Sequence, residues 1–483
     1  MAAGPLTGSL TVEGLTLSGG GLTQPIQAPK IVLEPVLPQS PDQRLSLTGS
    51  AAVPLGGTAP MTVGLSLTIA GYTAELRGQA SMQRARELTR AAGLAQAPAL
   101  DGLAGDPLQV DLTAAGPWLV QQETPPTART ASAEAQLAAP AAKANNASAK
   151  AAAPAAKVET APASIPSDDT LTGTVTLRSA NWRADYLASH VQIAQATLNF
   201  SRGEMRWDPV DFSYGPLKGT ATLELKTGCT PGEICPPHFA VALGALDAAD
   251  LQTAILGVHE KGTLLSSLID RLHPSSAPPW PELDGSVKAE SLVLGPVTLN
   301  QPSIQIRIVP AGAQISSITA SLLSGRLEAS GSFTRAASDQ DKPGYSFDGK
   351  VEKLSAAAVG QLLGQHWTGG AFNASGNIEL EGYTEKDLGT SAKGALHFEW
   401  ARGAVNGKAA AGKSRAAALP ASLTRFDRWT GDAAIASGAV TLGENQVLLG
   451  SHKDSVAGTV TFGDPPEVAL AAPKAKIADK PAH

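Results

Sequence analysis

The residues able to do chemistry are few and far apart. Cys229 and Cys235 frame the string TGCTPGEICPP, with five residues between them. A disulfide across such a hairpin tip is sterically easy and would point to an oxidising compartment such as a periplasm. Two free thiols in a loop fit the same spacing, because spacing alone cannot fix pairing. His238 is close by, but no second ligand pair has zinc-like spacing, so no metal site is expected. His452 and Asp454 stand two apart, which on a strand puts both on one open face without a nucleophile or third group. His259 with Glu260 carries no ligand spacing, and Asp339 with Asp341 reads as a hairpin tip. There is no GxSxG elbow and no glycine-rich phosphate loop followed by Lys-Ser or Lys-Thr. The expectation is a protein without catalytic residues or a cofactor, and not an enzyme. Trp182, Trp207, Trp367, Trp400 and Trp429 are isolated from one another in sequence. They read as packed sheet residues or rim anchors rather than base-stacking platforms.

Composition narrows the class. The 483 residues carry a formal net charge of -6 and no strongly basic stripe, which argues against nucleic acid as a partner. Aromatic residues are only 4%, while Gly (49) and Pro (35) are frequent, a balance that suits short strands punctuated by turns. No apolar run reaches the roughly eighteen residues of a transmembrane helix. The opening MAAGPLTGSLTVEG has neither the basic nor the apolar region of a signal peptide and reads as mid-strand. It suggests a piece of a longer protein.

The elements that must position any site are strands. Residues 1–120 alternate apolar and polar, as at Leu10 and Val12, which is the pattern of half-buried strands. Residues 121–166 are an Ala/Pro/Lys-rich stretch with nothing to bury, predicted to be a disordered linker. Strands resume over 167–472, and 473–483 forms a polar tail predicted to be disordered. A cassette recurs three times: a strand reaching Ser81, Asp247 or Ser355, a short apolar helix, and a glycine at Gly93, Gly257 or Gly364. Ser81, Asp247 and Ser355 are suited to cap those helices. A second opening motif, Leu, polar, Gly, then an alternating strand, recurs at Gly8, Gly173 and Gly285. Repetition on this scale predicts an array of similar units. A further helix is expected at Thr263 to Leu272 and a loop over 407–418.

The closing third reads YSFDGKVEKLSAAAVGQLLG, GAFNASGNIELEGY and GALHFEWARGAVNG, starting at Tyr345, Gly370 and Gly394. In the order of its elements it resembles the C-terminal region of AsmA-like proteins. The earlier cassettes are similar to the same units, so the resemblance spans the chain apart from linker and tail. It implies a mostly β fold, an elongated repeated antiparallel sheet curled into an apolar groove (β-taco-like), with short covering helices, related to bridge-like lipid transfer proteins. It also implies a periplasmic protein of the Gram-negative envelope, anchored to the inner membrane in its full length. The implied role is non-enzymatic: binding or conducting phospholipid or another acyl-chain lipid between inner and outer membranes, with those membranes or their proteins as partners. The chain departs from the pattern in its missing anchor helix and its alanine-rich linker.

The groove reading has a physical basis. An alternating strand has one apolar face, and shielding acyl chains from water is worth about 0.8 kcal/mol per CH₂. Candidate groove residues are Leu10, Val12, Val175, Leu177, Leu198, Phe200, Leu223, Leu225, Ile304, Ile306, Ile308, Leu396 and Phe398. The same residues would equally serve as ordinary core between two sheets. The alternative role is a structural scaffold or assembly factor for outer-membrane biogenesis with no bound lipid.

Overall fold

The structure is a computed structural model that describes residues 8–19, 22–37, 45–91, 102–118, 170–184, 186–226, 236–256, 279–337, 341–406, 421–461 and 467–471. Cys229 and Cys235, the 121–166 linker, the helix expected at Thr263 to Leu272, the 407–418 loop and the 473–483 tail lie outside the described residues.

The described chain is mostly strand, in one long mixed sheet of 25 strands that does not close into a barrel. It builds in blocks. The first is β1 (Leu10–Leu17), β2 (Ile26–Val36), β3 (Ser46–Val53), β4 (Met61–Leu67) and β5 (Gly71–Ala80), each antiparallel to the next. Helix α1 (Met82–Ala91) and strands β6 (Leu103–Ala104) and β7 (Leu108–Pro117) follow. The second block is β8 (Thr170–Trp182), β9 (Val191–Ser201), β10 (Glu204–Tyr214), β11 (Leu217–Lys226) and β12 (His238–Asp247), closed by α2 (Ala248–Leu256). The third is β13 (Leu283–Leu294), β14 (Val297–Val309), β15 (Gly312–Leu322), β16 (Gly325–Thr334) and β17 (Gly344–Ser355), closed by α3 (Ala356–Leu362). The final stretch holds β18 (His366–Thr368), β19 (Ala371–Glu381), α4 (Glu385–Ser391), β20 (Lys393–Asn406), α5 (Ala421–Thr424), β21 (Phe426–Ala436), β22 (Ala439–Leu449), β23 (His452–Asp454), β24 (Ala457–Thr461) and β25 (Glu467–Ala471). By contacts the chain divides into two compact units, Met1–Ala97 with Val110–Thr172 and Pro98–Gln109 with Gly173–His483.

One pairing corrects the expectation of a purely antiparallel sheet. β12 and β13 run parallel, with Phe239 beside Gly285 and Val241 beside Val287. Parallel neighbours need a crossover connection, and the segment carrying α2 provides it.

Each cassette helix starts as its sequence dictates. Arg84 N–H donates to Ser81 Oγ at 3.2 Å, Ala249 N–H to Asp247 Oδ1 at 2.8 Å, and Ala358 N–H to Ser355 Oγ at 3.4 Å. Such caps satisfy amide groups that the first helical turn leaves without partners. Of the cassette glycines, Gly364 is described, and its φ of 62° is the left-handed conformation that ends a helix.

Strand interiors are interrupted by bulges. The register shifts between Trp207 and Val210, between Asn300 and Ser303, between Ile315 and Ile318, and between Val351 and Leu354. Pro209 and Pro302 sit at two of these shifts, where a missing amide proton costs the ladder least. Each bulge bends its strand and increases the local twist.

Candidate functional site

Titratable side chains do not converge. Among the described residues no three His, Cys, Asp or Glu side chains are placed to hold a metal ion. His452 and Asp454 are exposed on β23. His397 Nδ1 lies 2.8 Å from Asp432 Oδ1, but the two are directly opposed on neighbouring strands and both exposed. Lys350 sits between Glu328 and Glu352, which raise its pKa while Lys350 lowers that of Glu352. Glu328, Lys350, His397 and Asp432, on β16, β17, β20 and β21, all lie on one side of the sheet, the side facing water.

The other side is apolar, and the register shows how far that character runs. Directly opposed residues share a face. Val175 faces Leu198, which faces Trp207, which faces Leu223, which faces Phe239. Across the parallel step, Val241 stands beside Val287, then Ile304, then Ile318. Leu327 faces Val351, which faces Ala374, which faces Phe398. The intervening residues Thr174, Asn199, Arg206 and Glu224 form a matching polar row on the opposite side. Face assignment thus persists across β8 to β20 through every bulge.

Glycines let aromatic rings lie flat on this face. A Cβ on Gly285 would stand 2.3 Å from the Phe239 carbonyl oxygen and 2.6 Å from its ring. Gly331 similarly lies beneath Phe347, and Gly173 faces Phe200. This accounts for glycine at two of the three recurrent strand openings, Gly173 and Gly285; at Gly8 nothing among the described residues lies within 4 Å of such a Cβ.

Burial along the face is uneven. In the middle, Leu198, Trp207, Leu223, Val287, Ile304, Ile306, Ile318, Phe347 and Val351 are all only half-buried. α2 covers one end of the second block, where Ala254 meets Leu217, Leu243 and Leu246. Nearby, burial pushes the Tyr214 phenol up, and it does the same to Tyr345. The final stretch is different. Trp400, Phe426, Leu423, Val405 and Val447 are almost fully enclosed, and Trp429 and Phe398 nearly so. Trp367 stacks on Trp400 at 4.6 Å, and Phe426 meets Trp400 edge-on at 4.9 Å. The Trp400 indole donates to the Gly369 carbonyl at 3.0 Å.

The sequence-selected residues fall as follows. Leu10 and Val12 lie on β1, opposite Leu33 and Ile31, with Leu10 exposed. Val175, Leu198, Phe200, Leu223, Leu225, Ile304, Ile306 and Ile308 lie half-buried on the apolar face, and Leu177 lies on it enclosed. Leu396 and Phe398 belong to the terminal aromatic cluster, with Phe398 inside it. Sequence reading missed Trp207, Phe212, Phe239, Ile315, Ile318, Phe347 and Ile378 on the same face. Alternation alone could have found Phe347 and Ile378. Trp207 and Ile318 are displaced by bulges that change parity. The tryptophans read as isolated are not isolated in space, since Trp367, Trp400 and Trp429 share one cluster.

Compared with models of protein families, with curated proteins and with solved structures, the chain matches none.

Proposed function

We propose that this protein is a non-enzymatic carrier of acyl-chain lipid, with the apolar face of its sheet lining a groove. The observation that carries this reading is the run of half-buried apolar side chains that share one face from β8 to β17, interrupted where glycine takes the opposed position at Gly285, Gly331 and Gly349. An ordinary two-layer core would enclose such residues, whereas a face that receives mobile tails keeps them accessible. Recurrent bulges supply the twist by which such a sheet coils around its apolar side. Acyl tails on this face would be shielded continuously as they move along it, at about 0.8 kcal/mol per CH₂, while the head group stays in water. The resemblance to AsmA-like proteins supports movement of phospholipid between inner and outer membranes as the setting, with the body in the periplasm.

Native mass spectrometry of the purified chain tests the proposal. Co-purified phospholipid, or uptake of a fluorescent phospholipid, is the expected result. A chain that neither carries nor takes up lipid would leave the scaffold role in outer-membrane assembly as the better reading.

A further inference from the structure

Helix α2 touches two parts of the sheet that lie far apart along it. On one side Ala254, fully enclosed, packs with Leu217 of β11 and with Leu243 and Leu246 of β12, and Val287 and Leu292 of β13 lie against the same cluster. On the other side the Gln252 amide donates to the Tyr345 hydroxyl of β17 at 3.4 Å. Tyr345 stands two residues before Phe347 and so shares its apolar face. It ends a ladder of rings, with Phe333 5.3 Å from Tyr345 and Trp280 5.8 Å from Phe333.

Strands β14, β15 and β16 separate β13 from β17. At about 4.8 Å per step, a flat sheet would put β13 and β17 roughly 19 Å apart. A glutamine and a tyrosine side chain do not span that distance. The sheet therefore bends toward its apolar side here and brings β17 round to α2. The bulges of β14, β15 and β17 fall inside the bend. A helix with its side chains is about 10–12 Å across, so α2 fills the space over the apolar face between the two walls. Its hold on them is unequal. Helix α1 of the first block is tied by charged groups: Arg84 donates to the Gln24 carbonyl at 2.7 Å and pairs with Glu87, which accepts from the Thr23 hydroxyl. Among the described residues, the side-chain tie of α2 to β17 is one neutral bond, longer than the roughly 2.7–3.2 Å of an ordinary N–H···O contact. Its nine residues are too few for a helix to be stable alone, and Ile255 is 39% exposed. A helix packed at one wall and weakly tied at the other is built to part from the second.

We infer that α2 is a strap across the apolar face between the second and third blocks, latched to β17 through Gln252 and Tyr345, and that acyl tails pass between those blocks only when the latch opens. The passage of tails rests on the carrier reading proposed above; the position of the strap does not.

A reversible cross-link tests it. The full chain with Cys229→Ser and Cys235→Ser carries Gln252→Cys and Tyr345→Cys, joined by a short bismaleimide that contains a reducible disulfide. The read-out is transfer of a fluorescent phosphatidylcholine between donor and acceptor phosphatidylcholine vesicles. The link should form, bring transfer down to the rate without protein, and restore it on reduction. Tyr345→Phe, which keeps the ring beside Phe333 and removes the hydroxyl, should speed transfer roughly 2-fold to 10-fold, the factor that one hydrogen bond is worth. The same linker between Ser332→Cys and Ser346→Cys, directly opposed on the polar side of β16 and β17, should leave the rate unchanged. No link between positions 252 and 345 would overturn the placement of α2. A linked chain that transfers at the unlinked rate would overturn the latch and leave the carrier reading standing. An unlinked chain that transfers no lipid, although the link forms, removes the carrier reading and the passage with it, and leaves α2 a fixed tie between blocks.

Discussion

Replacing Ile306 with aspartate separates an open apolar face from a sealed core. Ile306 faces Gly285 on one side and Ile315 on the other, and it is half-buried. A carboxylate there keeps much of its water. The loss is one cross-strand contact, about 0.2–1 kcal/mol, with part of the roughly 1.5–3 kcal/mol that full burial of an isoleucine is worth. The expected destabilisation is therefore about 1–2 kcal/mol. Val447 is the counterpart, 1% exposed and facing Trp429 inside the terminal cluster. Val447→Asp must desolvate its carboxyl against aromatic rings, which should cost at least about 4 kcal/mol. Urea unfolding followed by tryptophan fluorescence measures both. Lipid content by mass spectrometry then reports on function, and Ile306→Asp should lose lipid while staying folded. Equal destabilisation by the two variants would mean that Ile306 is sealed under a second layer, and the groove reasoning would fail. Unchanged lipid content would show that tails do not cross this strip.

Trp400→Ala should destabilise the final stretch by about 3–5 kcal/mol, through a cavity beneath Trp367 and Phe426 and a lost bond to Gly369. Hydrogen exchange should localise the loss to β20–β22, and an effect below about 1 kcal/mol would contradict the packing described for that cluster. Glu87, almost completely enclosed on α1, accepts from the Thr23 hydroxyl and pairs with Arg84 at 2.8 Å; the Thr23 bond leads in holding its pKa below the usual 4.5. A depressed carboxylate pKa stabilises the fold above its unfolded value, and that stability is lost as pH falls through the folded value. The Tm difference between wild type and Glu87→Gln should therefore be full at neutral pH and shrink below pH 4.5. A difference that is constant with pH would show that the charge is not the source.

Local patterns were legible because they are local. Alternation placed Val175 with Leu177 and Ile304 with Ile306 on one face, and Ser81, Asp247 and Ser355 announced their helices by cap chemistry. What alternation cannot carry is parity through a bulge. Trp207 and Val210 share a face although they stand three positions apart, as do Ile315 and Ile318, and no residue type marks the shift in the second pair. The β15–β16 turn is equally silent: Leu323 and Ser324 both take positive φ where asparagine and glycine would be expected. The parallel β12–β13 pairing is a choice of partner across an intervening helix, which strand periodicity does not encode. The tryptophan cluster joins residues from β18, β20 and β21 whose proximity depends on the β18–β20 and β20–β21 pairings.

Each of the first three blocks has an odd number of strands, β1–β5, β8–β12 and β13–β17. A chain that enters such a block at the bottom leaves at the top. To begin the next block with the same heading, it must either travel back outside the sheet or spend one more strand on the return. Both solutions occur. After the second block no described strand makes the return: the connection opens with α2, and β13 runs parallel to β12. The first uses β7, which pairs with β5 and whose Ala115 and Thr113 carbonyls accept from the Thr170 and Thr172 hydroxyls of β8. Lengthening this architecture by a hairpin leaves every later heading unchanged. Lengthening it by a single strand reverses all of them, so the array can grow smoothly only in twos, or in whole blocks that bring their own return path.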